Sequence, residues 1–242
     1  MFKEAIQNYL QQHNYMSFHP KAVFFDMDGV LINSMKNHSR AWMQAMKESN
    51  LPFTEEDAYM HEGCIGTTTI NDTFLKHLNR EATEEEQKKI YSAKSSIFES
   101  LEPIEKMPFA YELLKKLKSE EIKIYVVTGS GQPKLINSLN TLFPEIFTKE
   151  TMITGFDVKE GKPSPEPYLL ALKRSGFQPW ETVVVENAPM GILSASKAGL
   201  FTLAVNTGPF DDDFLYSYGA DLVLDSMEHL YNEWDNFRKS WF

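Results

Sequence analysis

The sequence predicts an α/β fold: a doubly wound parallel sheet with a helical domain inserted after its first strand. Three observations predict it. Short apolar runs rich in β-branched residues recur along the chain, amphipathic helical stretches separate the later ones, and one long segment after the first run shows helical periodicity only. Strands covered on both faces read as continuous apolar runs, and joining parallel strands needs a crossover that a helix supplies.

The chain opens with Phe2, Ile6 and Leu10 spaced four apart, which predicts an amphipathic helix in an N-terminal extension over residues 1–19. That extension also carries Lys3, Glu4 and several Gln and His, unlike the apolar core of a signal peptide. Ala22–Phe25 is the first expected strand. From Ser34 to Leu101 the pattern turns helical, with helices expected at Ser34–Ser49, Thr67–Leu78 and Thr83–Leu101. Thr83 followed by Glu86 is a capping box that opens the last of these. This segment is too long for one crossover, so residues 34–105 are expected as an inserted cap, with 20–33 and 106–242 forming the core. In the core, Ile122–Val127, Thr182–Val185 and Phe201–Val205 read as strands, and Asp221–Leu224 as a weaker one. Helices at Tyr111–Lys118, Pro167–Arg174 and Gly191–Ala198 alternate with them.

Composition narrows the function classes. Of 242 residues, 42% are hydrophobic and 24% charged, which excludes a disordered, collagen-like or disulfide-scaffold chain. The formal charge is −10, and the densest basic cluster is Lys115, Lys116 and Lys118 on one helix face, so no nucleic-acid partner is expected. The single cysteine, Cys64, excludes an internal disulfide and a thiolate-rich metal site, and reads as a buried filler. No apolar run reaches membrane-spanning length. The expectation is a cytoplasmic protein without a membrane partner, a monomer or weak dimer.

In open parallel sheets, reactive groups gather beyond the carboxyl ends of the strands. Here the first strand runs into Asp26-Met27-Asp28-Gly29, the next into Thr128-Gly129-Ser130, and Val183–Val185 into Glu186-Asn187; Lys162 lies between the last two. Singly, each is an ordinary turn or cap residue. Together, each at its own strand end, they describe a site. Asp26 and Asp28 are two apart, so an extended chain sends both to the same side. One carboxylate can attack phosphorus while the other handles protons. Two anions repel a phosphate, so a cation must intervene, and hard oxygens from Asp26, the Asp28 backbone and Glu186 suit Mg²⁺. Thr128, nearby amides and Lys162 can hold the transferring oxygens.

Phe25-Asp26-Met27-Asp28-Gly29-Val30, Val126-Val127-Thr128-Gly129-Ser130, Lys162-Pro163-Ser164-Pro165 and Val185-Glu186-Asn187-Ala188-Pro189 resemble the four motifs of the haloacid dehalogenase superfamily. The helical insertion is similar to the cap of its β-phosphoglucomutase-like members. The resemblance implies a Rossmann-like core, with Asp26 as the nucleophile that forms an aspartyl-phosphate and Asp28 as general acid and base. Thr128 and Lys162 would hold phosphate, and Glu186 would bind Mg²⁺.

Two departures bear on the substrate. The fourth motif has Asn187 where most relatives have Asp, which removes one negative charge beside the metal while leaving an oxygen for metal or substrate. In the cap, Thr69 stands where the mutase has an arginine for the distal phosphate, and Glu62 to Asp72 contains no Lys or Arg. His38 matches the histidine that mutase relatives place over the general acid, and Glu62 is expected to face the crevice, with Gly129 and Ser130 contacting substrate from the core. The expected activity is Mg²⁺-dependent hydrolysis of a small phosphorylated metabolite or pyrophosphate. β-Phosphoglucomutase is the alternative within the family; a catalytically silent phosphate-binding module is the alternative outside enzymes.

Overall fold

Four consecutive apolar residues place Ala22–Phe25 (β1) at the centre of the sheet, fully buried and paired in parallel on both sides. The computed structural model describes residues Met1–Phe242. Helix α1 (Phe2–His13) precedes β1. After it come the short strand β2 (Ile32–Asn33), the cap helices α2 (Met35–Glu48), α3 (Glu55–Met60), α4 (Gly66–Leu78) and α5 (Glu84–Ser100), and β3 (Glu105–Lys106). The core resumes with α6 (Ala110–Ser119), β4 (Lys123–Val127), α7 (Pro133–Leu142), β5 (Met152–Ile153) and α8 (Glu166–Ser175). It closes with β6 (Thr182–Glu186), α9 (Pro189–Lys197), β7 (Phe201–Val205), α10 (Asp212–Ser217), β8 (Leu222–Leu224) and α11 (Met227–Arg238).

The fold is α/β, with a six-stranded parallel sheet in the order β5-β4-β1-β6-β7-β8. The chain moves outward from β1 through β4 to β5, then returns to build the other side. That reversal opens a crevice at the carboxyl ends of β4, β1 and β6. Alternate residues of β1 serve opposite faces: Val23 and Phe25 join Leu113, Leu117 and Trp234, whereas Ala22 and Phe24 join Tyr168 and Ala195. The cap carries its own cluster of Trp42, Met46, Ile70, Phe74 and Ile90, and the antiparallel pair β2–β3 ties its two linkers together. Arg40 is exposed on α2. No helix is long and apolar enough to cross a membrane.

Strand β5 escaped the sequence pattern because it has two residues at the sheet edge. Helix α3 was not expected either; its signal is the Thr54–Asp57 capping box, its six residues being too few for apolar periodicity. The N-terminal extension docks on the amino ends of the strands through Ile6, Tyr9, Leu10 and Phe18, with the Tyr9 hydroxyl donating to the Gly199 carbonyl at 2.9 Å. Phe18 also exchanges backbone hydrogen bonds with Phe242, so the two ends of the described chain clasp each other.

Asp221 pins β8 to β7. Its N–H donates to the Thr202 carbonyl, and its carboxylate accepts the Thr202 N–H at 2.8 Å. Burial pushes its pKa from 3.8 up to about 7, against the pull of the Thr202 amide. The folded value is raised, so its contribution to stability is complete below the unfolded pKa and is lost as pH rises through about 7. Asp221→Asn should therefore exceed the parent in urea stability at pH 8 by on the order of 1 kcal/mol, and by less at pH 5. An equal difference at both pH values would refute the assignment.

Candidate active site

Lys162 is the centre of the crevice. Its fully buried Nζ donates to Asp26 Oδ1 at 2.5 Å, to Glu186 Oε1 at 2.6 Å and to the Val127 carbonyl at 2.9 Å. Strands β1, β6 and β4 thus each end on one ammonium group. The second oxygen of Glu186 accepts the N–H groups of Asn187 and Ala188, and the Tyr168 hydroxyl donates to Oε1 at 2.9 Å. Burial disfavours the charged lysine, but Asp26 and Glu186 hold it well above its ordinary pKa. Burial pushes the Asp26 carboxyl up, Lys162 opposes it, and Glu186 and Asp28 add to the rise. Thr128 Oγ1 accepts the Ser130 N–H at 3.0 Å, which shapes the turn after β4.

A second chain of groups comes from the cap. Asp28 Oδ1 accepts from the Ser34 hydroxyl at 2.5 Å and faces His38 Nε2 at 3.0 Å. Lys94 Nζ lies 2.8 Å from His38 Nδ1. Lys94 donates there, so the His38 proton sits on Nε2 and points at Asp28. Burial pushes Asp28 up, but His38, Ser34 and Lys94 hold it below the usual carboxylate range. Burial and Lys94 lower His38 against the pull of Asp28, and burial lowers Lys94 to about 7. Sequence reasoning missed Lys94. Its signal was a lysine between Ile90 and Phe98 at intervals of four, on the buried face of α5.

Glu62 enters from the loop between α3 and α4, and its Oε1 accepts from Asn187 Nδ2 at 2.8 Å. Burial raises Glu62 well above its ordinary pKa; Asn187 opposes this, and Asp26, Asp28 and Glu186 reinforce it. The turn below requires Gly29, whose φ is +76° and whose side-chain space is filled by Asn187 and Glu62. Between cap and core remains a cavity of about 50 Å³, bounded by Asp28, His38, Glu62, Tyr91, Ser130 and Gln132 among others. Gly129 and Cys64 also line it. Cys64 is half-buried at this wall rather than sealed in the core, and burial pushes its thiol up to about 12, far from a nucleophilic thiolate. Thr69 does not reach the cavity. It is buried in the first turn of α4, away from the residues that line the cavity.

The donor set fits a hard cation. Asp26 Oδ2 and Asn187 Oδ1 are buried without a hydrogen-bond partner. Both are oxygens of the kind Mg²⁺ takes. Glu186, expected as a ligand, has both oxygens engaged by protein donors and holds Lys162 in place.

This fold and carboxylate-lysine crevice define a class. A haloacid dehalogenase-like hydrolase family model matches residues 23–205, and the chain belongs to that family. It is 33% identical over 215 residues to hexitol phosphatase A of Escherichia coli, covering 87% of this chain and 93% of that one. It is 28% identical over 232 residues to β-phosphoglucomutase of Bacillus subtilis, covering 90% and 97%. A solved structure from Bacteroides vulgatus, provisionally named a β-phosphoglucomutase, superposes with a TM-score of 0.95 at 49% identity over 99% of this chain and 97% of that one. Relatives named as phosphatases and as β-phosphoglucomutases thus both match it, which places the chain in the β-phosphoglucomutase-like branch of the family.

Removing the bridging cation leaves two buried carboxylates face to face. Lys162→Met should lower stability by about 3–5 kcal/mol in metal-free buffer, and adding Glu186→Gln should recover part of that loss. A loss below about 1 kcal/mol in urea titration would show that the pair is not buried as described.

Proposed function

We propose that the protein hydrolyses inorganic pyrophosphate, or an ester of similar size, through an aspartyl-phosphate on Asp26. The observation that carries this reading is the cavity. About 50 Å³ holds a few water molecules' worth of ligand, which suits a second phosphate but not a hexose ring. The cap residue aimed into it is Glu62, whose buried carboxyl offers no positive charge to a distal phosphate at the mutase arginine position. Lys94 is a cap cation at the cavity, but its head group is committed to His38.

Asp26 is placed to attack phosphorus, since Lys162 fixes Oδ1 and leaves Oδ2 unpaired. Asp28, oriented by Ser34 and His38 and ionised in the free site, would take up a proton as the anionic substrate binds, give it to the leaving oxygen and then draw one from the attacking water. Gly129 and Ser130 would hold transferring oxygens from the turn after β4, with Thr128 and Lys162 fixing its position. Lys162 and Lys94 have their head groups committed to Asp26, Glu186 and His38, so neither is free to neutralise a phosphoryl group. Mg²⁺ on Asp26 and Asn187, with Asp28 contributing and Glu186 supporting from behind, would neutralise the phosphoryl oxygens when bound.

A second reading is a phosphorylated sugar alcohol, favoured by the 33% identity to hexitol phosphatase A. It requires the cap to stand further from the core than it does here. A side-by-side panel separates the two. With Mg²⁺, kcat/KM for pyrophosphate should exceed that for hexitol and hexose phosphates, including β-glucose 1-phosphate, by at least about tenfold, or about 1.4 kcal/mol. Chelator should abolish turnover, and so should Asp26→Asn. Preference for hexitol 6-phosphate would select the second reading, and efficient formation of glucose 6-phosphate from β-glucose 1-phosphate would restore the mutase.

A further inference from the structure

The cap meets the core along a backbone seam. Cap residues Gly63, Cys64 and Ile65 lie across two core loops, the turn after β4 and the segment leading into Lys162. Each loop presents a glycine at the contact. A Cβ on Gly129 would overlap the Gly63 carbonyl, and a Cβ on Gly161 would lie 2.6 Å from Ile65 Cγ2 and 3.0 Å from the Ile65 nitrogen. Neither glycine is needed for its own backbone. The positive-φ glycines are Gly29, Gly63, Gly176, Gly199 and Gly219, so Gly129 and Gly161 adopt angles open to any residue. What the two positions exclude is a side chain between cap and core.

From this we propose that Gly129 and Gly161 are positioning residues: their missing side chains let the cap seat flush on the core, and that seat restricts turnover to compact substrates. The restriction to compact substrates rests on the pyrophosphate reading above; the seat itself does not. Seating acts on the site through two neighbours. Glu62 immediately precedes the seam, so the segment that rests on Gly129 also carries the 2.8 Å contact with Asn187. On the other side, the Cα of Gly63 faces the Lys162 stem, so the lysine that organises Asp26 is covered by the same segment. Lifting the seam by one methyl group would separate Glu62 from Asn187 and widen the cavity. A small ligand would then lose its walls, whereas a larger one would gain room.

Gly161 is the better position to test, because it lies outside the cavity wall and its carbonyl bond to the Ser164 N–H survives in alanine. Gly161→Ala should lower kcat/KM for pyrophosphate by at least about tenfold while leaving that for 4-nitrophenyl phosphate within about twofold or raising it. Amide hydrogen exchange over residues 61–68 should quicken in the same variant. Trimming the opposing side chain in Gly161→Ala/Ile65→Ala should restore at least about threefold of the lost pyrophosphate activity, as a relieved contact must. Ile65→Phe adds bulk to the same contact from the cap side, leaves the core sequence unchanged, and should give the same split between substrates. Equal losses on both substrates with unchanged exchange would overturn the proposal, as would failure of the double variant to recover. A parent enzyme that prefers hexitol phosphate would refute the pyrophosphate reading alone, since exchange and rescue still report on the seat.

Discussion

One buried ammonium group organises this protein. Lys162 sits out of contact with water and bonds to the ends of three neighbouring strands: Asp26 after β1, Val127 in β4 and Glu186 at the end of β6. Burying an ion is costly unless every proton and lone pair finds a partner, and here each N–H of the lysine does. Tyr168 and the amides of Asn187 and Ala188 complete Glu186 in the same way. The parallel sheet makes this possible, because adjacent strands deliver their carboxyl ends to one crevice in fixed register. The consequence for chemistry is that Asp26 is held by one oxygen and free at the other.

The cap supplies a second, separate set of constraints. Lys94 fixes the tautomer of His38, and His38 with Ser34 keeps Asp28 from rising as burial alone would dictate. Glu62 and Asn187 close the far side. Two carboxylates two residues apart therefore experience opposite environments: Asp26 is pushed up and Asp28 is held down. A cation bound beside Asp26 would lower that carboxyl toward the ionised form a nucleophile needs.

Much of this was legible in the sequence, for identifiable reasons. Continuous apolar runs marked β1, β4, β6 and β7 because both faces of each strand are covered, and the motif residues stood at their ends. The convergence of Asp26, Thr128, Lys162 and Glu186 follows from sheet topology, which the helix-strand alternation already implied. Strand β5 was hidden by its length, and Lys94 because a lysine reads as solvated until its neighbours on the helix face are considered. That Glu186 spends both oxygens on protein donors also depends on Tyr168 and on local amides, which lie outside any motif spacing.

The central claim is that the Lys162-held carboxylate of Asp26 takes the phosphoryl group. Asp28→Asn should slow release of that group without preventing its transfer. Mixing this variant with pyrophosphate and Mg²⁺, quenching in acid, reducing with borohydride and sequencing by mass spectrometry should reveal homoserine at position 26. A stoichiometric burst of phosphate with Asp26 unmodified would contradict the account.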